Sequence, residues 1–304
     1  MLTAGGLFLG NTSCTNAPKA NAVDEASAAK PSKRLGLQIY SLQKELYDDL
    51  PNRLKEVKAM GYETLELAGY NAGKIGGVDM MEFKKMVADS GLKITSSHVN
   101  PPVREYTKEN RSQIMEYWKK TADDHAKLGV KYLIQPGQPS TRSVEEVAYV
   151  CEIFNEAGKI VKATGIPFGY HNHEMEFAKV VPGGTESKFG RRVREGEVIY
   201  DLFLKQTDPA LVFFEMDVYW TVMGQNDPVE YMQKHKDRIK VLHIKDRAVL
   251  GQSGMMNFEM IFKQMYANGI ADYFVELEKM PDGRTQFEGV KGCADYLLNA
   301  SFVK

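Results

Sequence analysis

An α/β fold of the single (β/α)8 barrel class is what this chain predicts, and three observations carry the prediction. From residue 34 onward, eight short β-rich apolar runs alternate with longer amphipathic stretches. The alternation occupies residues 34–304, close to the length of roughly 250 residues such a barrel needs. The last four runs each end in polar residues spaced by two, the spacing that puts both side chains on one face of a strand.

The elements follow in order. The first run, RLGLQIYSL (34–42), leads into the amphipathic LPNRLKEVKAMGY; the second, YETLELAGY (62–70), leads into DMMEFKKMVADSG. LKITSSHVN (92–100) precedes YWKKTADDHAKLG, and VKYLIQPGQ (130–138) precedes VEEVAYVCEIFNEAGKIVKATG. GIPFGYHNH (165–173), ALVFFEMDVYW (210–220), RIKVLHIKD (238–246) and ADYFVELE (271–278) complete the set. In the intervening stretches apolar residues recur every three or four positions, and a glycine commonly closes the helix before the next strand. A doubly wound sheet is the rival, but it usually has fewer units and carries a Gly-rich phosphate turn after its first strand. None follows here. GYNAGKIGG (69–77) has the wrong spacing for a P-loop and places Ile75 where Ser or Thr belongs, so it reads as a flexible loop.

Residues 1–33 differ from the rest. MLTAGGLFLGNTSC is small and apolar, and the segment after it is rich in Ala, Ser, Pro and Lys. This is the order of an export signal followed by a flexible tether, with Cys14 as the candidate lipidated cysteine. The expectation is a periplasmic or outer-surface protein with a candidate lipid anchor and no membrane span. Residues 34–304 then form one domain. Cys151 and Cys293 have no paired spacing and read as buried free thiols. A net charge of −1 excludes nucleic acid as a partner, because phosphate binding needs a basic face. The basic run KFGRRVREGE (188–197) reads as a solvated loop. His125 and His235 fall in helical stretches and read as surface residues, and the 15 methionines as core filler.

Active sites of such barrels form at the C-terminal strand ends. Strand five offers His171 and His173, strand six Glu215 and Asp217, strand seven His243 and Lys245, strand eight Glu276 and Glu278. Four neighbouring ends at one height converge on one point. So much buried charge requires pairing or a cation, and carboxylates with one or two imidazoles suit a divalent metal: Mn, Mg, Co or Zn. The bland alternatives are a satisfied core histidine at His243, a helix cap at Asp217 and an ion pair between Glu276 and Lys245. Earlier strand ends add Gln38, Tyr40, Glu66, His98 and Gln135 as candidate substrate contacts, with Trp220 placed to stack on a sugar face.

GYHNHEMEF, FFEMDVYW, VLHIKD and FVELE, in that order at strands five to eight, resemble the xylose isomerase-like TIM barrels, also called sugar phosphate isomerases/epimerases. The resemblance covers the whole barrel, and is nearest to inosose dehydratase-like and 3-keto-glycoside-processing members. It implies a divalent metal held from these four strands, with Asp217, His243 and Glu276 matching three ligands. The first ligand stays open among His171, His173 and Glu176, since His171 stands where many relatives have a glutamate. It further implies proton abstraction beside a carbonyl through a metal-stabilised enediolate. His171 or His173 is the expected base or leaving-group acid, and Lys245 the group that neutralises developing oxyanion charge. The expected function is a sugar isomerase or epimerase acting on a small carbohydrate. The alternatives are a lyase or hydratase eliminating a β-substituent from a keto-sugar, and a non-enzymatic sugar-binding lipoprotein. An abasic-site endonuclease on this fold needs a histidine-rich zinc cluster and a basic groove, and is set aside. A homo-oligomer stays open.

Overall fold

The computed structural model describes residues 33–184 and 195–304. The expected export signal, Cys14, the tether and most of the 188–197 basic run lie outside the described residues. Eight parallel strands close into a barrel: β1 (Leu35–Gln38), β2 (Tyr62–Leu67), β3 (Lys93–His98), β4 (Tyr132–Gln135), β5 (Phe168–His171), β6 (Val212–Asp217), β7 (Ile239–Lys245) and β8 (Asp272–Glu276). Each pairs with its sequence neighbour, and Leu37 against Val275 joins the last strand to the first. Around them lie α1 (Leu50–Ala59), α2 (Met80–Asp89), α3 (Arg111–Leu128), α4 (Val144–Lys162), α5 (Ile199–Gln206), α6 (Val218–Met223), α7 (Pro228–Lys234), α8 (Phe258–Ala267) and α9 (Gln286–Asn299). All eight expected strands are present.

Strand alternation divides the core in two. Residues facing outward, such as Leu133, Phe168, Tyr170 and Phe214, join the large apolar layer under the helices. Those facing inward form a small separate cluster of Ile134, Phe213, Val241 and Phe274, which plugs the barrel. Gly169 makes room for this plug, because a Cβ there would lie 2.5 Å from the Phe213 ring. Charge at the lower mouth is settled by Asp272, which accepts hydrogen bonds from Lys131 and from the Tyr132 hydroxyl.

Three local expectations change. The first run stops being a strand at Gln38, whose side-chain oxygen accepts from the Tyr40 amide and starts a 3-10 turn over Ile39–Tyr47. The 69–77 stretch is an ordered three-stranded antiparallel meander (Tyr70–Asn71, Lys74–Ile75, Val78–Asp79). Its two-residue turns Ala72-Gly73 and Gly76-Gly77 have positive φ throughout, the geometry hairpins prefer. His125 is fully buried: one ring nitrogen bonds the Thr121 carbonyl (2.7 Å) and the other the Ser97 hydroxyl (2.9 Å). It continues the buried stripe Ile114, Trp118, Thr121 and Leu128 of α3, so helical spacing alone places it inside. Of the methionines, Met80, Met216, Met232 and Met265 are core filler as expected, while Met175 and Met255 are exposed. Cys151 and Cys293 are free and buried. Among the described residues no helix is long and apolar enough to cross a membrane.

Candidate metal centre

The polar site stands directly on the apolar plug. Two residues beyond Gly169 comes His171; beyond Phe213 come Glu215 and Asp217. Beyond Val241 come His243 and Lys245, and beyond Phe274 comes Glu276. On the other side of the barrel, Gln38 and His98 end β1 and β3, and Glu66 is the last residue but one of β2. The inward register that lines the barrel with oil below lines it with charge above.

Two groups of donors result. In the outer one, His171, Asp217, His243 and Glu276 bring ligand atoms within 4.8 Å of one another, and all four are buried. His243 Nδ1 lies 3.2 Å from Glu276 Oε2 and 4.0 Å from Asp217 Oδ2. Lys245 Nζ donates to Glu276 Oε2 at 3.0 Å and to Glu278 Oε1 at 2.5 Å, and lies 4.7 Å above the Trp220 ring. In the inner group, His243 Nε2 lies 2.6 Å from Glu66 Oε2, and His98 Nε2 lies 2.7 Å from Glu215 Oε2 and 3.1 Å from Glu66 Oε2. The His98 and His243 rings stack, with centroids 5.1 Å apart. Gln38 Nε2 donates to Glu66 at 2.8 Å.

Asp217 serves two ends at once. Its Oδ1 accepts from the Trp220 amide (2.9 Å) and caps α6, while its Oδ2 is buried with no hydrogen-bond partner. Glu66 Oε1, Glu215 Oε1 and His171 Nδ1 share that condition; His171 Nδ1 is 3.3 Å from Glu215 Oε2 but not aligned as a hydrogen bond. The electrostatics match the geometry. Burial pushes the Asp217 carboxyl up to about 7, and burial together with Glu66 raises Glu215. Burial also opposes charge on Glu276 and Glu66, yet Lys245 with His243, and His98 with His243, outweigh it and lower both. His243 is raised well above the ordinary imidazole value, since Glu215 and Glu66 overcome its burial. His171 is lowered by burial and by His243, and burial brings His173 down to about 4.

Without a bound cation, four buried carboxylates against one permanently charged lysine hold down negative charge only by taking protons on His243, Asp217 and Glu215, as their raised pKa values show. A divalent cation among unpartnered oxygens and imidazole nitrogens offsets it, and a mixed O/N donor set suits Mn, Co or Zn. The residues present therefore fit such an ion.

The remaining expected residues fall in distinct places. Glu176 stays out of both donor groups: it accepts from the Tyr170 hydroxyl (2.5 Å) and the His173 amide (2.9 Å). Past His171 the chain leaves the sheet and turns into a short 3-10 segment, Met175–Phe177, so strand alternation no longer aims this side chain. Gln135 also stays out. It has the parity opposite to Ile134 and instead bonds the Tyr106 hydroxyl and the Gly137 carbonyl. Tyr40 lies beyond the strand and is exposed. His173 and Trp220 sit side by side at the rim, rings 5.8 Å apart. Two residues that sequence reasoning gave no role matter. Glu215, expected at the strand-six end beside Asp217, lies against His98, His171 and His243. Asn172 is buried and joins β5 to β6, with its Oδ1 accepting from the Asp217 amide (3.2 Å).

Comparison with known proteins agrees with the barrel fold. Two solved structures from Parabacteroides distasonis, each described as a sugar phosphate isomerase/epimerase, align with TM-scores of 0.84 and 0.85. They are 65% and 48% identical, covering 90% and 91% of this chain and 100% of theirs. The inosose dehydratase of Halalkalibacterium halodurans is 33% identical over 97 residues, which is 32% of this chain and only 27% of that protein. A family model described as Xylose isomerase-like TIM barrel matches residues 54–292. The chain belongs to the xylose isomerase-like TIM barrel family.

Proposed function

We propose that this chain is a divalent-metal-dependent enzyme of the sugar isomerase/epimerase type that moves a proton beside a carbonyl. The observation that carries the reading is the buried set His171, Asp217, His243 and Glu276, gathered within 4.8 Å with Asp217 Oδ2 unpartnered. A divalent ion bound there supplies Lewis acidity, drawing electron density from a substrate's carbonyl and adjacent hydroxyl oxygens. The chain's own groups do the rest. His173, at the rim and neutral at pH 7, takes the proton from the carbon beside the carbonyl through a ring nitrogen. Lys245 holds the Glu276 carboxylate in place and in its charged form. Trp220 offers a flat apolar surface to one sugar face. With five carboxylates (Glu66, Glu215, Asp217, Glu276, Glu278) around the site and Lys245 already paired twice, a neutral sugar suits the site better than a phosphorylated one.

A second reading is elimination of a β-substituent from a keto-sugar. It is favoured by the strand-five edge, where His171 and His173 rather than a second carboxylate face the site, since an imidazole that has taken the proton beside the carbonyl can hand it on to a departing oxygen. The partial match to inosose dehydratase supports the same chemistry. Manganese-loaded protein offered neutral ketoses and 3-keto-glucosides separates the readings: epimerised or isomerised ketose supports the first, released aglycone the second. Sugar binding without turnover, in protein that holds no metal, would return it to the class of non-enzymatic binders.

A further inference from the structure

Sharing His243 with the proposed metal ligands is a ring of four side chains from four strands: Glu66 of β2, His98 of β3, Glu215 of β6 and His243 of β7. Around the ring the contacts are Glu66–His98 3.1 Å, His98–Glu215 2.7 Å, Glu215–His243 3.3 Å and His243–Glu66 2.6 Å. Glu66, Glu215 and His243 have no exposed surface, and the His98 side chain is only 9% exposed.

We infer that Glu66 and Glu215, with His98 between them, are positioning residues that set which nitrogen of His243 faces the metal. The inference rests on reading His171, Asp217, His243 and Glu276 as the ligands. A neutral imidazole has one nitrogen that donates and one that accepts. His243 presents Nε2 to Glu66 and Nδ1 to Glu276 and Asp217. Both nitrogens face carboxylates, but the Glu66 contact is the closer, 2.6 Å against 3.2 Å to Glu276, so Nε2 carries the proton and Nδ1 keeps its lone pair for the ion. Glu66 is itself anchored, since Gln38 donates to it and Gln38 Oε1 is fixed by the Tyr40 amide. His98 bridges both carboxylates and keeps two like charges together beneath the His243 ring. Glu215 also lies 3.3 Å from Nδ1 of His171, so one carboxylate touches the rings of two proposed ligands. Gln38, Glu66 and His98, expected from sequence to touch substrate, thereby act through the metal ligands instead.

Two measurements test this. In zinc-loaded wild-type protein with ¹⁵N-labelled histidine, long-range ¹H–¹⁵N correlation should show His243 protonated at Nε2 and metal-bound at Nδ1; the reverse pattern overturns the inference. In the second, manganese affinity is titrated for Glu66→Ala, Glu66→Gln and Asp217→Asn. Glu66→Ala should weaken binding about 10–100-fold. Glu66→Gln, which still offers an oxygen to Nε2–H, should recover part of that loss, with KM at saturating metal unchanged. Raised KM with unaltered metal affinity makes Glu66 a substrate contact and refutes its positioning role alone. Wild-type protein that binds no metal removes the ligand reading and this inference together. If Glu66→Ala does not fold, the wild-type spectrum still decides.

Discussion

At the scale of single residues, Asp217 shows how a helix cap leaves room for a second role. Helix capping and metal binding were alternatives in the sequence; in the structure one carboxylate oxygen caps α6 and the other is buried without a partner. Asparagine caps helices about as well as aspartate. In metal-free protein Asp217→Asn should therefore lose no more than about 1 kcal/mol of unfolding free energy, while with metal present turnover falls by about 10²–10³-fold, the scale of losing one preorganised electrostatic group. Urea melts in chelator and rate measurements with metal check the two halves, and a large loss of stability in chelator would show that the cap is what Asp217 chiefly does. His125 gives a separate test. Its native pKa is pushed down to about 4 by burial, whereas an unfolded imidazole titrates near 6.5. Below pH 6.5 the unfolded chain takes up a proton that the native chain refuses, so stability from this group is whole above pH 6.5 and drains away towards pH 4. The full drop is about 3 kcal/mol at 1.36 kcal/mol per pH unit. His125→Asn should flatten that part of the profile in urea melts at pH 7.0 and 4.5, and an unchanged slope would assign the acid sensitivity to other groups.

At the scale of elements, the site is a consequence of strand parity. The i, i+2 pairs on β6 and β7, and Glu276 on β8, were legible because period-2 alternation survives any uncertainty in where a strand begins. Depth along the barrel axis was not legible. The sequence puts Glu66 and His98 at strand ends, but it does not show that both reach across the barrel to Glu215 and His243. Gln135 lies apart from the cluster for a different reason: β4 brings Tyr132 and Ile134 inward, so its polar end residue faces out. Glu176 lay past the strand end, where no period applies, and the meander at 70–79 hid in glycine turns read as looseness. The plug supplies an element-scale prediction. Gly169→Ala drives a methyl into the Phe213 ring and should cost about 1–3 kcal/mol, as overpacking does. Adding Phe213→Leu should recover much of that loss in urea melts, because the two sites share one space. Equal and additive losses would mean that the plug has room to spare.

At the scale of the whole molecule, eight short strands gather side chains from residues 38 to 276 into one buried charged layer over one apolar plug. Such a layer makes the barrel's stability depend on what it binds. A ligand held by the native state alone adds about 2.7 kcal/mol at a hundred times its Kd. Chelator should therefore lower Tm and manganese restore it in the wild type, with little response in Glu276→Gln. A chelator-insensitive Tm would detach the charged layer from metal binding. The most direct measurement is elemental analysis of the loaded, desalted wild type beside Asp217→Asn, with turnover assayed on the same samples. One tightly held divalent ion per wild-type chain, lost together with keto-sugar turnover in the variant, is the predicted result. A wild type that retains no metal, or a variant that keeps both its metal and its turnover, contradicts the account.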